Sequence, residues 1–215
     1  MTGGAGYIGS HCVKRLVSDG YHVTVLDNCD MGHAVAVQRA SDGKAKLVQA
    51  DLRDTDTVTQ TLRENNIEGV IHFAALAQVG ESVQHPLRYY DNNTAGSVSL
   101  LRAMDAAGVK RIVFSSTCAT YGEPASMPIV ETMPQQPINP YGWSKLMTER
   151  ALIDYGSSNG EFAFAALRYF NVAGSDPDAV IGEDHSPESH IIPGVLNCAR
   201  GKVEKMSVFG TDSDL

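Results

Sequence analysis

Three glycines spaced three apart open the chain, in Thr2-Gly-Gly-Ala-Gly-Tyr-Ile-Gly9, and they restrict the fold more than any other feature. Glycine lets a backbone turn sharply and approach an anion with no Cβ in the way, and a helix starting there aims its free amides at the same point. Helical spacing follows at once: Ile8, Cys12, Val13, Leu16 and Val17 share a face, and Gly20 stands where a C-terminal cap belongs. The strand-like run Tyr21–Asp27 comes next and ends on an acid. That is where a carboxylate meets the adenosine ribose of a bound dinucleotide. An acid there repels a 2′-phosphate, so Gly3, Gly6, Gly9 and Asp27 read as a site for NAD in preference to NADP.

The rest of the chain alternates short apolar runs with helical patterns, the signature of βαβ units in a doubly wound α/β fold with a parallel sheet. Lys46–Asp51 and Val70–Phe73 read as strands, with Asp54 capping a helix to about Asn65 between them. Pro86 opens a long helix that ends near Gly108, and Arg111–Thr117 is a strand whose end is entirely hydroxylated. Five prolines make 121–140 a loop, after which Asn139 caps a helix with Pro140 at its first position. Phe162–Tyr169 reads as a buried strand and Met206–Phe209 as a strand-like end. The pattern breaks into Gly, Asp, Pro and Ser after Asn171, so 1–171 is expected to be a dinucleotide-binding domain and 172–215 the start of a smaller substrate-binding lobe. Only Met1 and Thr2 precede the glycine loop. The strand that must deliver the chain into it, central in the order 3-2-1-4-5, is expected to be missing, and the chain reads as a fragment that is inactive by itself.

Composition narrows the partners. Seventeen Lys+Arg against 25 Asp+Glu give a net charge of −8 with no basic run, which argues against a nucleic-acid backbone as partner. The longest apolar run, Phe162–Leu167, is too short to span a membrane, and the first residues lack the basic-then-apolar order of a signal peptide. Cys12, Cys29, Cys118 and Cys198 are too scattered for a metal or redox motif and read as free thiols of a reducing cytoplasm, with no metal implied.

Tyr141-Gly-Trp-Ser-Lys145 is the second constellation, since residues four apart share a helix face. A phenol with its ordinary pKa near ~10 is a poor base at neutral pH, but a neighbouring ammonium favours the phenolate. Ser115-Ser116-Thr117 offers a hydroxyl partner at a strand end.

At this point the chain resembles the extended short-chain dehydrogenase/reductase family, and within it the UDP-glucose 4-epimerases. The likeness rests on TGGAGYIGS at 2–10, VIHFAAL at 70–76, VGESVQHPLRYYDNN at 79–93, FSSTCATYGEP at 114–124, NPYGWSK at 139–145, LRYFNVAG at 167–174 and GEDHSPESHIIP at 182–193. The resemblance implies transient oxidation at C4 of a UDP-sugar, interconverting UDP-galactose and UDP-glucose with tightly held NAD. It makes Tyr141 the base for the sugar 4-hydroxyl. Lys145 becomes the residue that holds the nicotinamide ribose and lowers the tyrosine pKa, and Thr117 the hydroxyl beside substrate and base. It places Tyr7 and Ile8 by the pyrophosphate, Asp27 and Asn28 on the adenosine ribose, and Asp51 and Leu52 at the adenine. Phe73, Ala74 and Ala75 line the cofactor's middle, Asn92 and Phe170 lie toward the nicotinamide, and Ala77 stands where some relatives carry Lys. Asn171, His190, Ile191, Ser207, Val208 and Phe209 match positions that touch the nucleotide. The helices from Pro86 and Pro140 would form a homodimer face. Two rivals are weaker. A dehydratase of the same fold places an Asp-Glu pair where this chain has Cys118-Ala119, and a binding protein without activity has no need of Tyr141, Lys145 and Asp27 together.

Overall fold

The computed structural model describes residues 1–185, 188 and 190–207. In chain order the elements are α1 (Tyr7–Ser18), β1 (Thr24–Asp27), α2 (Ala34–Ser41), β2 (Lys46–Gln49), α3 (Thr55–Glu64), β3 (Val70–His72), α4 (Val79–Gln84), α5 (Pro86–Tyr89), α6 (Gly96–Ala107), β4 (Arg111–Thr117), α7 (Pro140–Ser158), β5 (Ala163–Tyr169) and α8 (Ile191–Ala199). All strand pairs are parallel: β1 with β2, β3 with β4, and β4 with β5. The gap between β1 and β3 is closed by the first three residues, where the missing strand was expected to leave nothing. Thr2 bridges to both Leu26 and His72, donating its N–H to the Ile71 carbonyl and accepting from Phe73, while Leu26 N–H donates to the Met1 carbonyl. The sheet order is therefore β2-β1-Thr2-β3-β4-β5, doubly wound, with Gly3 leaving directly from its centre.

Helices cover both faces because strand residues alternate. Val25 packs with Val13 of α1 and with Val37 and Ala40 of α2, whereas its neighbour Leu26 joins the cluster of Val58 and Leu62 from α3, Leu100 and Met104 from α6, Phe114 from β4 and Leu152 from α7. The segment after Asn171 folds back on α1: Lys14 pairs with Asp176 at 2.5 Å, and the Tyr7 hydroxyl donates to the Gly174 carbonyl at 2.5 Å.

The caps fall where the side chains predict them, Asp54 accepting from Thr57 N–H at 3.1 Å and Asn139 from Gly142 N–H at 2.8 Å. Elsewhere the structure departs from expectation. Helix α2 fills a stretch in which no element was read, and β1 starts only at Thr24, leaving Tyr21 exposed. The long helix from Pro86 is interrupted by a π turn over Tyr90–Ala95 before α6 ends at Gly108, whose φ of 75° is a left-handed cap. β5 is not buried as its apolar run suggests. Paired only with β4 among the described residues, it leaves Phe164 and Leu167 exposed. Met206 and Ser207 lie in no strand, and Val208 and Phe209 lie outside the described residues.

Candidate active site

The glycine turn is built from two kinds of glycine. Gly3 has φ +71°, and a Cβ there would lie 2.4 Å from the Ala74 nitrogen, while one on Gly9 would lie 2.0 Å from the Gly3 carbonyl oxygen. These two are demanded by the protein's own packing. A Cβ on Gly6 would meet nothing closer than that carbonyl oxygen at 3.6 Å. Gly6 is the N-cap of α1 with no side-chain cap, so the first amides of that helix are left for whatever enters the cleft. Asp27, at the end of β1, accepts from Ala5 N–H and Cys29 N–H, each at 2.9 Å, one per carboxylate oxygen. It thereby ties the glycine turn to the next loop and still has lone pairs to accept hydroxyl donors.

Above the turn runs a cleft of about 440 Å³ along the C-terminal ends of the five strands, where open α/β sheets hold ligands. Every position expected to meet the cofactor lines it: Gly3, Gly6, Tyr7, Ile8, Gly9, Asp27, Asn28, Asp51, Leu52, Phe73, Ala74, Ala75, Ala77, Asn92, Thr117, Tyr141, Lys145 and Phe170. Asn171 and His190 line it too. Ile191, exposed at the start of α8, and the exposed Ser207 are not among its walls. The sequence reading missed Asp30, Gly32, Glu81, Glu183 and His185, which also line it. A Cβ on Gly32 would sit 2.7 Å from the Ala5 carbonyl carbon, a close approach that only the fold reveals. The π turn sends Asn92 to the cleft and turns Asn93 inward, where it accepts from Leu76 N–H at 2.8 Å and donates to Leu76 O at 3.0 Å. Asp51 is gripped by Arg53, which holds its carboxyl down at about 2.

At the far end of the cleft, the Asn139 cap and Pro140 start α7 so that Tyr141 and Lys145 face the end of β4. Lys145 is buried, donates Nζ to the Ser115 carbonyl at 2.8 Å and lies 4.9 Å over the Phe114 ring. Burial alone lowers its pKa to about 7. Thr117 favours the Tyr141 phenolate, but burial is the larger influence and raises the phenol above its ordinary value. The expectation that Lys145 lowers the tyrosine is thus not met by the protein alone: the shift is upward, because desolvation exceeds the hydroxyl's help.

The cleft's outer wall holds the one grouping among the described residues with a ligand set for a metal ion. Ligand atoms of Glu183, His185, Glu188 and His190 all lie within 4.8 Å of one another. Here the carboxylates serve the imidazoles: His190 Nδ1 lies 2.8 Å from Glu188 Oε1 and 2.9 Å from Glu183 Oε1.

The chain is similar to known proteins over nearly its whole length. A UDP-glucose 4-epimerase of Streptococcus mutans is 52% identical over 214 residues, covering 99% of this chain and 63% of that protein. The crystal structure of UDP-glucose 4-epimerase from Brucella ovis in complex with NAD superposes with a TM-score of 0.94 at 43% identity, covering 100% of this chain and 64% of that one. That of the Bifidobacterium longum enzyme in complex with NAD+ and UDP gives 0.95 at 38% identity, covering 100% and 65%. The chain thus spans 62–63% of the length of three curated UDP-glucose 4-epimerases that it matches. The model of the NAD dependent epimerase/dehydratase family matches residues 1–214, and the chain belongs to that family.

Proposed function

We propose that the protein is a UDP-glucose 4-epimerase that oxidises C4 of a UDP-sugar transiently and reduces it again from the other face, with Tyr141 as the base. The observation that carries this reading is the convergence of Tyr141, the Thr117 hydroxyl and the buried Lys145 at one end of a cleft whose other end is a glycine turn.

The residues present fit a dinucleotide: Gly6 leaves room beside uncapped helix amides, and Asp27 stands at the next strand end. Gly3, Gly6, Tyr7, Ile8 and Gly9 would hold the pyrophosphate, Asp27 and Asn28 the adenosine ribose, and Asp51 and Leu52 the adenine. Phe73, Ala74, Ala75, Ala77, Asn92 and Phe170 would wall the remainder. When bound, NAD+ supplies the acceptor and later the donor of the C4 hydrogen with its electron pair, and a positive charge near the phenol. Tyr141 takes the proton from the 4-hydroxyl as the C–H bond breaks and returns it when the alcohol reforms. Thr117 bridges the phenol and that hydroxyl. Lys145 would hold the nicotinamide ribose and, charged there, would lower the phenol that burial has raised. Asn171, His190, Ile191, Ser207, Val208 and Phe209 are assigned to the nucleotide of the substrate. Its binding should rest mainly on the UDP end, so that the keto sugar is free to turn over.

We assign 1–171 to the cofactor domain and 172–215 to the start of the substrate lobe. The assembly is assigned as a cytoplasmic homodimer, supported by Leu87 on α5 and by Trp143 and Met147 on α7, which stand exposed on the two helices concerned. No helix among the described residues is long and apolar enough to cross a membrane.

The test is conversion of UDP-galactose to UDP-glucose by the full-length protein carrying this sequence, unmutated and as Tyr141→Phe. Turnover should fall by about 10²–10⁴-fold while NAD is retained, because only the proton-exchanging hydroxyl is lost. Near-normal turnover in Tyr141→Phe would mean another residue is the base.

A further inference from the structure

Glu149 is 2% exposed on α7, one turn beyond Lys145 and two beyond Tyr141, and the mechanism gives it no part. Three segments converge on its carboxylate. Ser116 of β4 donates its hydroxyl to Oε1. Arg168 of β5 donates Nε to Oε1 at 3.1 Å and a terminal nitrogen to Oε2 at 2.8 Å. Gln135, from the proline-rich loop, donates to Oε2 at 3.1 Å. Ser116 and Arg168 are direct partners in the β4–β5 register, so one carboxylate locks α7 across both strands. Arg168 is itself fixed from the far side, donating to the Tyr121 hydroxyl at 2.6 Å with its guanidinium 5.0 Å over the Tyr121 ring.

The next residue after Ser116 is Thr117, which lines the same end of the cleft as Tyr141. Where Glu149 holds Ser116 therefore decides how far the phenol stands from the β4 end. The other polar tether in this register is Lys145 to the Ser115 carbonyl. On the reading above that ammonium is committed to a ribose, which leaves the carboxylate to keep the spacing. A buried ion pair is weak evidence of stabilisation, since apolar residues of similar bulk often replace one at no cost. Its distinctive contribution here is a fixed register.

We propose that Glu149, clamped by Arg168, is a positioning residue for the proton transfer: it sets the height of α7 against the end of β4, and with it the separation of Tyr141 from Thr117 and from the substrate hydroxyl. The proposal rests on the reading of Tyr141 as the base.

The test measures kcat and KM for UDP-galactose, retained NAD and melting temperature in the full-length protein carrying this sequence, for Glu149→Leu/Arg168→Leu and for Arg168→Lys. The double variant removes both charges together and strands neither. It should fold, keep NAD and keep KM within about twofold, while kcat falls about 10- to 100-fold, the scale of a small misplacement of reacting groups. Arg168→Lys keeps a donor to the carboxylate and should recover much of that loss. A double variant that folds and turns over at the unmutated rate overturns the proposal, as does one whose KM and NAD retention worsen in step with kcat. Should the double variant not fold, Glu149→Gln, which keeps the bulk of the side chain but weakens its hold on Arg168 and Ser116, decides by itself: a reduced kcat at unchanged KM supports the role and an unchanged kcat refutes it. Tyr141→Phe run alongside separates the failures. If it stays active, the base assignment is wrong; if it is dead while the double variant is unimpaired, only the positioning role is wrong.

Discussion

Lys145 donates its Nζ to the Ser115 carbonyl at 2.8 Å and pairs with no carboxylate among the described residues, although Glu149 stands one turn away on the same helix. Arg168 claims that carboxylate, so the ammonium is buried with a single neutral acceptor and its pKa sits at about 7.

This has a consequence for stability. With its folded pKa below that of the unfolded chain, Lys145 releases its proton on folding between about pH 7 and the ordinary lysine value near ~10.4. The unfolded state binds more protons there, so this group makes stability rise with pH across that window and makes the charged form costly below it. Lys145→Met should remove that slope. In cofactor-free protein, the melting-temperature difference between Lys145→Met and unmutated protein should favour the mutant at pH 6 and shrink or reverse by pH 9. A difference independent of pH would show that the lysine stays charged throughout.

In the cofactor-free protein, Thr117 favours the Tyr141 phenolate against burial. Thr117→Val should cost at least about tenfold in kcat and move the acidic limb of the pH–rate profile to higher pH, since the phenol is then harder to ionise. Thr117→Ser retains the hydroxyl and should stay near the unmutated rate. Equal profiles for Val and Ser would remove Thr117 from the proton path.

Asp27 has two roles that separate experimentally. Asp27→Ala should relax the preference for NAD over NADP, because the acid facing a 2′-phosphate is gone. It also leaves Ala5 and Cys29 amides without their acceptor, at about 1–3 kcal/mol for each that stays buried. Dissociation constants for both cofactors test the first effect and a urea melt without cofactor the second. Comparable NADP and NAD affinities in the unmutated protein would contradict the ribose assignment.

The parts legible in the sequence are those where local chemistry and tertiary role coincide. The glycine spacing, the acid ending β1, the caps Asp54 and Asn139 and the Tyr141–Lys145 pair each announce their place. What was hidden depends on distant neighbours. The π turn at Tyr90–Ala95 lies inside a run whose apolar spacing suits an unbroken helix, and it is the Asn93 clamp on Leu76 that rewards the extra residue. The apolar run of β5 reads as buried because composition records what prefers cover, whereas exposure records what supplies it. The direction of the Tyr141 shift was likewise out of reach, since spacing gives the neighbours but not the depth of burial.

The two kinds of glycine in the opening turn give the sharpest separation between fold and ligand. Gly9→Ala drives a Cβ to 2.0 Å from a backbone oxygen, and the backbone has no flexible end to move aside. It should destabilise the cofactor-free protein by about 1–3 kcal/mol or more, the ordinary cost of overpacking. Gly6→Ala places its Cβ 3.6 Å from that oxygen, an ordinary contact, at an extended cap position with φ −82°. It should melt with the unmutated protein when no cofactor is present. Its methyl group, however, stands beside the uncapped amides of α1, where a pyrophosphate must approach closely. The stabilisation that added NAD gives the unmutated protein should therefore be reduced in Gly6→Ala. If Gly6→Ala gained as much from NAD as the unmutated chain, the pyrophosphate would have to lie elsewhere in the cleft.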